Sequence, residues 1–130
     1  MDRANVISLR LIKAKAFLSE VELLVEKKFY STSIHSLYLG CYHASSALLI
    51  SNGVIPKNQR NIPSLLHQQF IEKGLFDQEK AVFFKKLMKR RIEVDHEDEM
   101  VATEEDVKLY VEPAKEYVSC IENLLRDYKE

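Results

Sequence analysis

The residues of this sequence best suited to chemistry lie between positions 91 and 96, which read Arg-Ile-Glu-Val-Asp-His. Arg91 carries a planar fork of donors that matches phosphate oxygens, and His96 can exchange protons near neutral pH. Asp95 follows Arg91 by four residues, so on a helix its carboxylate could hold the guanidinium in place. These are the groups that phosphodiester cleavage needs. The same spacing is also typical of an ordinary surface ion pair near a helix end, and the pattern alone leaves both interpretations open.

Helical geometry restricts how Arg91 and His96 can act together. Five residues at about 100° each place them roughly 140° apart around a regular helix. They can face one phosphate only if the helix ends between them or if two subunits each supply one group.

Five segments with helical apolar periodicity must position these residues. The predicted helices cover about residues 4–28, about 31–51, 63–74, 77 to at least 91, and 103 onward. The end of the fourth helix is undefined, because the acids from Asp95 to Glu99 suit either a last turn or a loop. Thr103 and Asp106 approximate a capping box, and Pro113 should bend the fifth helix.

The connections are short and few. Asn52-Gly53 suits the end of the second helix, and residues 54–62 form the longest predicted loop. Small residues in the second helix would let another helix approach closely; they are Gly40, Ala44, Ser45 and Ala47. With only 3 Gly and 3 Pro in 130 residues, the chain favours long helices over an all-β domain. We predict an all-α fold, an up-and-down four-helix bundle with one additional short helix, in a single domain spanning residues 1–130.

Composition restricts the possible partners and compartment. The formal net charge is -1, from 19 basic and 20 acidic residues, so any contact with RNA must be local. No stretch approaches the ~20 apolar residues of a membrane span, which predicts a cytoplasmic protein with no membrane partner. Cys41 and Cys120 lie in helical patterns and form neither a disulfide framework nor a zinc site, although a single disulfide between them stays open.

The densest basic patch lies on the fourth predicted helix and could guide an RNA backbone. It consists of Lys85, Lys86, Lys89 and Arg90, followed by Arg91. The alternative interpretation is a solvated helix face, whose field the following acids would partly cancel.

Other candidate sites have less support. His43 could be a second catalytic or nucleotide-contacting group, or a core histidine with satisfied ring nitrogens, whereas His35 and His67 have no supporting neighbours in the sequence. His96 and the adjacent acids could suggest a metal site, but no second His or Cys stands three or four residues away. We therefore predict no metal and no cofactor. Ser45 and Ser46 lack the strand-to-helix elbow of a nucleophilic serine.

The second predicted helix contains the run Tyr-Leu-Gly-Cys-Tyr-His-Ala from Tyr38 to Ala44. Together with the later Arg91-x4-His96, it resembles the HEPN domain family, whose small stand-alone prokaryotic members carry a Tyr-Tyr-Ala-x-Phe-His-Ala-like run there. Leu39, Gly40 and, later, Val94 depart from the family pattern in ways that a helical core tolerates; they stand where the family often has Tyr, Ala and Ala. The resemblance extends over most of the chain in order and spacing.

The resemblance implies a homodimer in which Arg and His line a cleft near the dimer interface. Many such proteins are encoded beside a minimal nucleotidyltransferase, and the active ones resemble metal-independent endoribonucleases. His96 stands where many stand-alone members have Tyr and the nuclease-like branch has His, which favours the catalytic branch. Toxin members often have a Tyr two residues later as an adenylylation target, and Asp98 stands there instead, so control by that modification is not expected.

The first functional hypothesis is a metal-independent endoribonuclease, the toxin-like half of a pair with a nucleotidyltransferase. Neutral His96 would take the proton from a ribose 2′-OH, and Arg91 would stabilise the charge of the transition state. The second is a non-catalytic helical partner that binds nucleotide or positions substrate for the nucleotidyltransferase, and the third is a plain helical interaction module. Convergence of Arg91 and His96 on one phosphate position favours the first hypothesis, and an Arg91 tied up by carboxylates favours the second.

Overall fold

A computed structural model describes residues 2–96 and 102–128, with His96 described by its backbone alone. The described residues form helices and no strand, so the all-α prediction is confirmed. The helices are α1 (Arg3–Ser19), α2 (Val21–Glu26), α3 (Tyr30–Ser51), α4 (Ile62–Leu66), α5 (Gln78–His96) and α6 (Glu104–Leu125). A 3₁₀ turn at Gln59–Asn61 precedes α4, and a π-helical turn at His67–Ile71 follows it.

Helix α3 is the centre of the bundle and contacts α1, α5 and α6. Most of its residues between Ser33 and Leu49 are buried, as expected of a helix enclosed by neighbours. The largest side chains of the core come from three helices: Tyr38 of α3, Phe84 of α5 and Tyr117 of α6 are fully buried. Phe84 stacks between the two tyrosines, with ring centroids 5.6 Å from each. The rings therefore fix α5 and α6 against the central helix.

The closest helix approach lies at Gly40, where α1 packs on α3. A Cβ atom added there would lie 2.8 Å from Leu18 Cδ2 and 3.2 Å from the carbonyl oxygen of Ala14. Both contacts would be tight, so a larger residue at this point would require Leu18 and α1 to shift. The expectation that small residues in this helix admit a neighbour is thus confirmed at Gly40.

Two predicted helices are subdivided in the structure. The first is interrupted at Glu20, whose carboxylate accepts a hydrogen bond from the Ser36 hydroxyl at 2.6 Å. The short third helix is a succession of 3₁₀, α and π turns, with Pro63 in its first α-helical turn as expected. Apolar periodicity cannot report either change, because both leave the buried stripe in place.

The junction of α5 and α6 is held by an ion pair beside a cap. The predicted capping box of Thr103 and Asp106 is confirmed, and Arg90 donates to Asp106 Oδ2 at 2.8 Å. Burial raises the pKa of Asp106, but hydrogen bonds from Arg90 and Thr103 outweigh it and leave the pKa below its usual value. Asp106 therefore stays ionised and connects the two helices.

Both cysteines are free: Cys41 is buried and Cys120 is half-buried. No helix in the described ranges is long and apolar enough to cross a membrane.

Candidate functional site

Arg91 is positioned by three side chains on two helices. Its guanidinium carbon lies 5.1 Å from the centroid of the buried Tyr38 ring, a cation–π distance. Its Nε lies 3.3 Å from Asp95 Oδ2, and it donates to His35 Nδ1 at 3.3 Å. Asp95 is one turn further along α5, whereas Tyr38 and His35 belong to α3. Tyr38 thus contacts the flat face of the guanidinium, and Asp95 and His35 contact its Nε edge.

The other edge of the guanidinium is available to a ligand. Within residues 2–96 and 102–128, neither terminal nitrogen of Arg91 makes a hydrogen bond or ion pair. The Arg91 side chain is 27% exposed and lines a cavity of about 520 Å³ between α5 and the loop before α4. Two parallel donors on this edge match the geometry of two phosphate oxygens. The arrangement can therefore bind a phosphate bidentately.

Tyr38 connects this site to the loop. Its hydroxyl donates to Gln59 Oε1 at 2.6 Å, and Gln59 lines the same cavity as Arg91. Burial raises the pKa of Tyr38 to about 12, even though the charge of Arg91 opposes the shift. The phenol remains protonated at neutral pH and keeps its donor role. One residue thus supports the guanidinium with its ring and holds the loop with its hydroxyl.

The imidazole of His96 lies outside the described part of the structure, but the backbone of α5 continues through His96. The helix therefore does not end between Arg91 and His96. If Arg91 and His96 were to act on one phosphate, the remaining arrangement would be the one in which two subunits each supply one group.

His43, predicted as a supporting residue, makes its contacts with α1 rather than with α5. Arg10 Nη1 lies 2.9 Å from its Nδ1, and Phe17 stacks on its ring with centroids 5.6 Å apart. Burial, reinforced by the charges of Arg10 and Lys13, lowers the pKa of His43 to about 4. The ring is therefore neutral at physiological pH, and its surroundings favour a packing role.

The four predicted RNA-binding cations lie in different surroundings. Lys85 and Lys89 line a second cavity, of about 500 Å³, next to the Arg91 cavity. Lys86 is exposed on α5 but is not among the residues that line either cavity. The Arg90 side chain is only 14% exposed and pairs with Asp106, an arrangement that favours a structural role.

Sequence reasoning missed two residues near Arg91. His35 has no supporting neighbours in the sequence, yet in the structure its Nδ1 lies 3.3 Å from Arg91 Nε and 3.8 Å from Asp95 Oδ2. Arg60, in the 3₁₀ turn, lines both cavities beside α5. No local pattern could have found them, because His35 and Arg91 are 56 residues apart in sequence.

A family model of the HEPN domain matches residues 7–124, a range that contains every residue of this site. The chain belongs to the HEPN family. This confirms the resemblance to the family that the sequence indicated.

Two relatives are similar to this HEPN protein over most of its length. It is 22% identical over 117 residues to a Thermotoga maritima protein named UPF0332 protein, covering 90% of this chain and 89% of that one. It is 23% identical over 114 residues to a Methanocaldococcus jannaschii protein whose name is "Putative toxin", covering 88% and 84% of the two chains. Neither name states a substrate.

The described part of this HEPN chain contains no cluster of three or more His, Cys, Asp or Glu side chains that could hold a metal ion. The alternative metal site at the acidic run lies mostly outside the described residues. Its side chains that are not described are those of His96, Glu97, Asp98 and Glu99.

Proposed function

We propose that this HEPN protein is a cytoplasmic, metal-independent endoribonuclease that acts as a homodimer, with Arg91 and His96 as its catalytic residues. The observation that carries the proposal is the state of Arg91. Its guanidinium contacts Tyr38, Asp95 and His35, while its terminal nitrogens have no partner among the described residues and its side chain lines a cavity. A preorganised donor pair of this kind is suited to a phosphate whose negative charge grows in the transition state.

The reaction requires a base for the ribose 2′-OH. His96 of one subunit would remove that proton, the alkoxide would attack the adjacent phosphorus, and the bond to the 5′-oxygen of the next nucleotide would break as that oxygen takes a proton from water. Arg91 of the other subunit would neutralise the extra charge on the non-bridging oxygens. The products are a 2′,3′-cyclic phosphate and a free 5′-hydroxyl. DNA lacks the 2′-OH nucleophile and should not be cleaved.

We further propose that the protein is the toxin-like half of a pair with a nucleotidyltransferase. The relative named as a toxin supports the toxin-like role, and the family resemblance supports the nucleotidyltransferase partner. Asp98 occupies the position at which toxin members often carry a modifiable Tyr, so the partner would control this protein by binding rather than by modification.

A second function is favoured by one contact, that between Arg91 and the carboxylate of Asp95 at 3.3 Å. In a non-catalytic partner of the nucleotidyltransferase, this ion pair would serve only to stabilise α5. The free edge of the guanidinium would suit the phosphate of a bound nucleotide in that partner as well as the scissile phosphate in the nuclease, so the two functions differ in whether RNA is cleaved.

The test is cleavage of a mixed RNA pool in EDTA by wild type, Arg91→Ala and His96→Ala, after each has been shown to be an equally folded dimer. The proposal predicts cleavage by wild type only, with cyclic phosphate ends. No cleavage by wild type, or equal cleavage by all three, would favour the non-catalytic partner.

A further inference from the structure

A continuous groove runs along α5 away from Arg91. The cavity that contains Arg91 shares Arg60, Met88 and Ile92 with the adjoining cavity that contains Lys85 and Lys89. One wall is α5, and the other is the chain from Asn58 to Ser64. From Arg91 to Lys85 the helix rises by about 9 Å, so the groove is long enough for about two nucleotides.

The cations of this groove are not neutralised by the protein. Across the described ranges, the side chains of Arg60, Lys85 and Lys89 make no ion pair or hydrogen bond. Several other cations are paired instead: Lys15 with Glu122, Lys108 with Glu104 and Lys115 with Glu112. Among the residues that the structure describes, the only acid that lines the groove is Glu93, whose carboxylate lies 3.9 Å from Arg90. The groove therefore carries local positive charge in a chain whose net charge is -1.

The floor of the groove is apolar. Met88 and Ile92 lie one turn apart on α5, between the positions of the cations, and Pro63 faces them from the opposite wall. Ile92 is 37% exposed, although a large aliphatic side chain gains by burial. Alternating cations and apolar groups suit single-stranded nucleic acid, which presents phosphates and unpaired base faces together. A duplex would offer phosphates but no base faces to this floor.

We propose that the groove formed by Arg60, Lys85 and Lys89 over Met88 and Ile92 binds the single-stranded RNA that adjoins the scissile phosphate. This inference rests on the proposed function, because it takes Arg91 as the end of the groove at which cleavage occurs. It adds Arg60 to the RNA-binding residues and leaves out Lys86 and Arg90. The contacts are to phosphates and to base faces without hydrogen-bond readout, so the groove would be tolerant of sequence.

The test measures binding separately from cleavage. The ligand is a fluorescent single-stranded RNA oligomer with every 2′-OH methylated, which cannot supply the nucleophile. Binding is followed by anisotropy over a salt series for wild type and for the triple variant Arg60→Gln/Lys85→Gln/Lys89→Gln. The matched control, Lys27→Gln/Lys73→Gln/Lys80→Gln, removes the same charge from lysines that do not line the groove. Cleavage of unmodified RNA is measured in parallel.

The groove variant should bind at least about tenfold more weakly at low salt. Its plot of log affinity against log salt should be shallower by about 2, since each phosphate contact on a single strand contributes about 0.7. The control should keep the wild-type slope, and annealing the oligomer to its complement should weaken binding by the wild type.

Any of these binding results would overturn the proposal: unchanged binding by the groove variant, equal losses in both variants, tighter binding of the duplex, or failure of the wild type to bind. Conversion of the groove variant from dimer to monomer would also overturn it, by showing that a second copy of the chain occupies the groove. Failure of the proposed function gives a different pattern, in which the wild type binds the methylated oligomer through the groove but leaves unmodified RNA uncut.

Discussion

At the scale of single residues, the feature that matters most is the one-sided engagement of Arg91. Its Nε is shared between Asp95 and His35, and Tyr38 supports its plane, so the terminal nitrogens are fixed in orientation before any ligand binds. Fixing a donor pair in advance avoids reorganisation during the reaction, which is the main advantage of an enzyme site over water.

Asp95→Asn tests this positioning role. The substitution keeps the size of the side chain but removes the charge that attracts Arg91 Nε, so we expect RNA cleavage to fall by about tenfold. The free energy of unfolding should change by less than about 0.5 kcal/mol, the usual contribution of an exposed i,i+4 pair. Cleavage rates and chemical denaturation measure the two effects.

The matched control for Asp95→Asn is Glu104→Gln, which disrupts a similarly spaced pair with Lys108 on α6. It should alter neither cleavage nor stability appreciably. Wild-type cleavage by Asp95→Asn would show that the carboxylate does not position Arg91.

His43 yields a prediction about acid stability. Its pKa is about 4 in the folded protein, below the value of about 6.5 for an ordinary histidine, so the unfolded chain binds the proton more tightly. The stability tied to neutral His43 is therefore present above about pH 6.5 and is lost as the pH falls towards 4. In His43→Asn, which keeps an acceptor for Arg10 but does not titrate, the free energy of unfolding should depend less on pH over this interval.

Denaturation curves at several pH values compare the two proteins. Loss of ring stacking on Phe17 would lower the free energy of unfolding of the variant by the same amount at every pH. The comparison therefore uses the slope of this free energy against pH, and not its absolute value. Parallel slopes would show that His43 is not buried in its neutral form.

At the scale of helices, the sequence predicted the elements well and their long-range contacts poorly. The apolar stripes located the major helices, and Thr103 with Asp106 correctly marked the start of α6. The interruption at Glu20 lies beside a contact with Ser36, which is 16 residues away. His35 and Arg60 join the Arg91 region for the same reason, since tertiary packing rather than local pattern brings them there.

The junction of α5 and α6 should depend on the charge of Asp106. Asp106→Asn weakens the contact with Arg90, which is mostly buried, and should lower the free energy of unfolding at neutral pH by about 1 to 3 kcal/mol. Because the folded-state pKa of Asp106 is below its usual value of about 3.9, this contribution exists above that pH and disappears as the pH falls further.

Glu105→Gln is the control for Asp106→Asn, because it removes an exposed acid from the same first turn of α6. It should cost less than about 1 kcal/mol, the range of helix-dipole effects. Equal losses in the two variants would assign the effect to the helix dipole rather than to the contact with Arg90.

At the scale of the whole molecule, the proposed catalytic pair of Arg91 and His96 requires two subunits. Helix α5 is continuous from Arg91 through His96, and a regular helix separates those positions by roughly 140°. A site that uses both residues on one phosphate must then combine Arg91 of one protomer with His96 of its partner. In a twofold dimer this creates two equivalent sites.

The most direct measurement is RNA cleavage by mixed dimers of Arg91→Ala and His96→Ala, formed by co-refolding and verified with two different affinity tags. Each mixed dimer would contain one site with both native residues, so the mixture should regain about one quarter of wild-type activity. Neither variant alone should cleave RNA. If the mixture were as inactive as each variant alone, the proposed shared site would be wrong, because Arg91 and His96 would not act across the dimer interface.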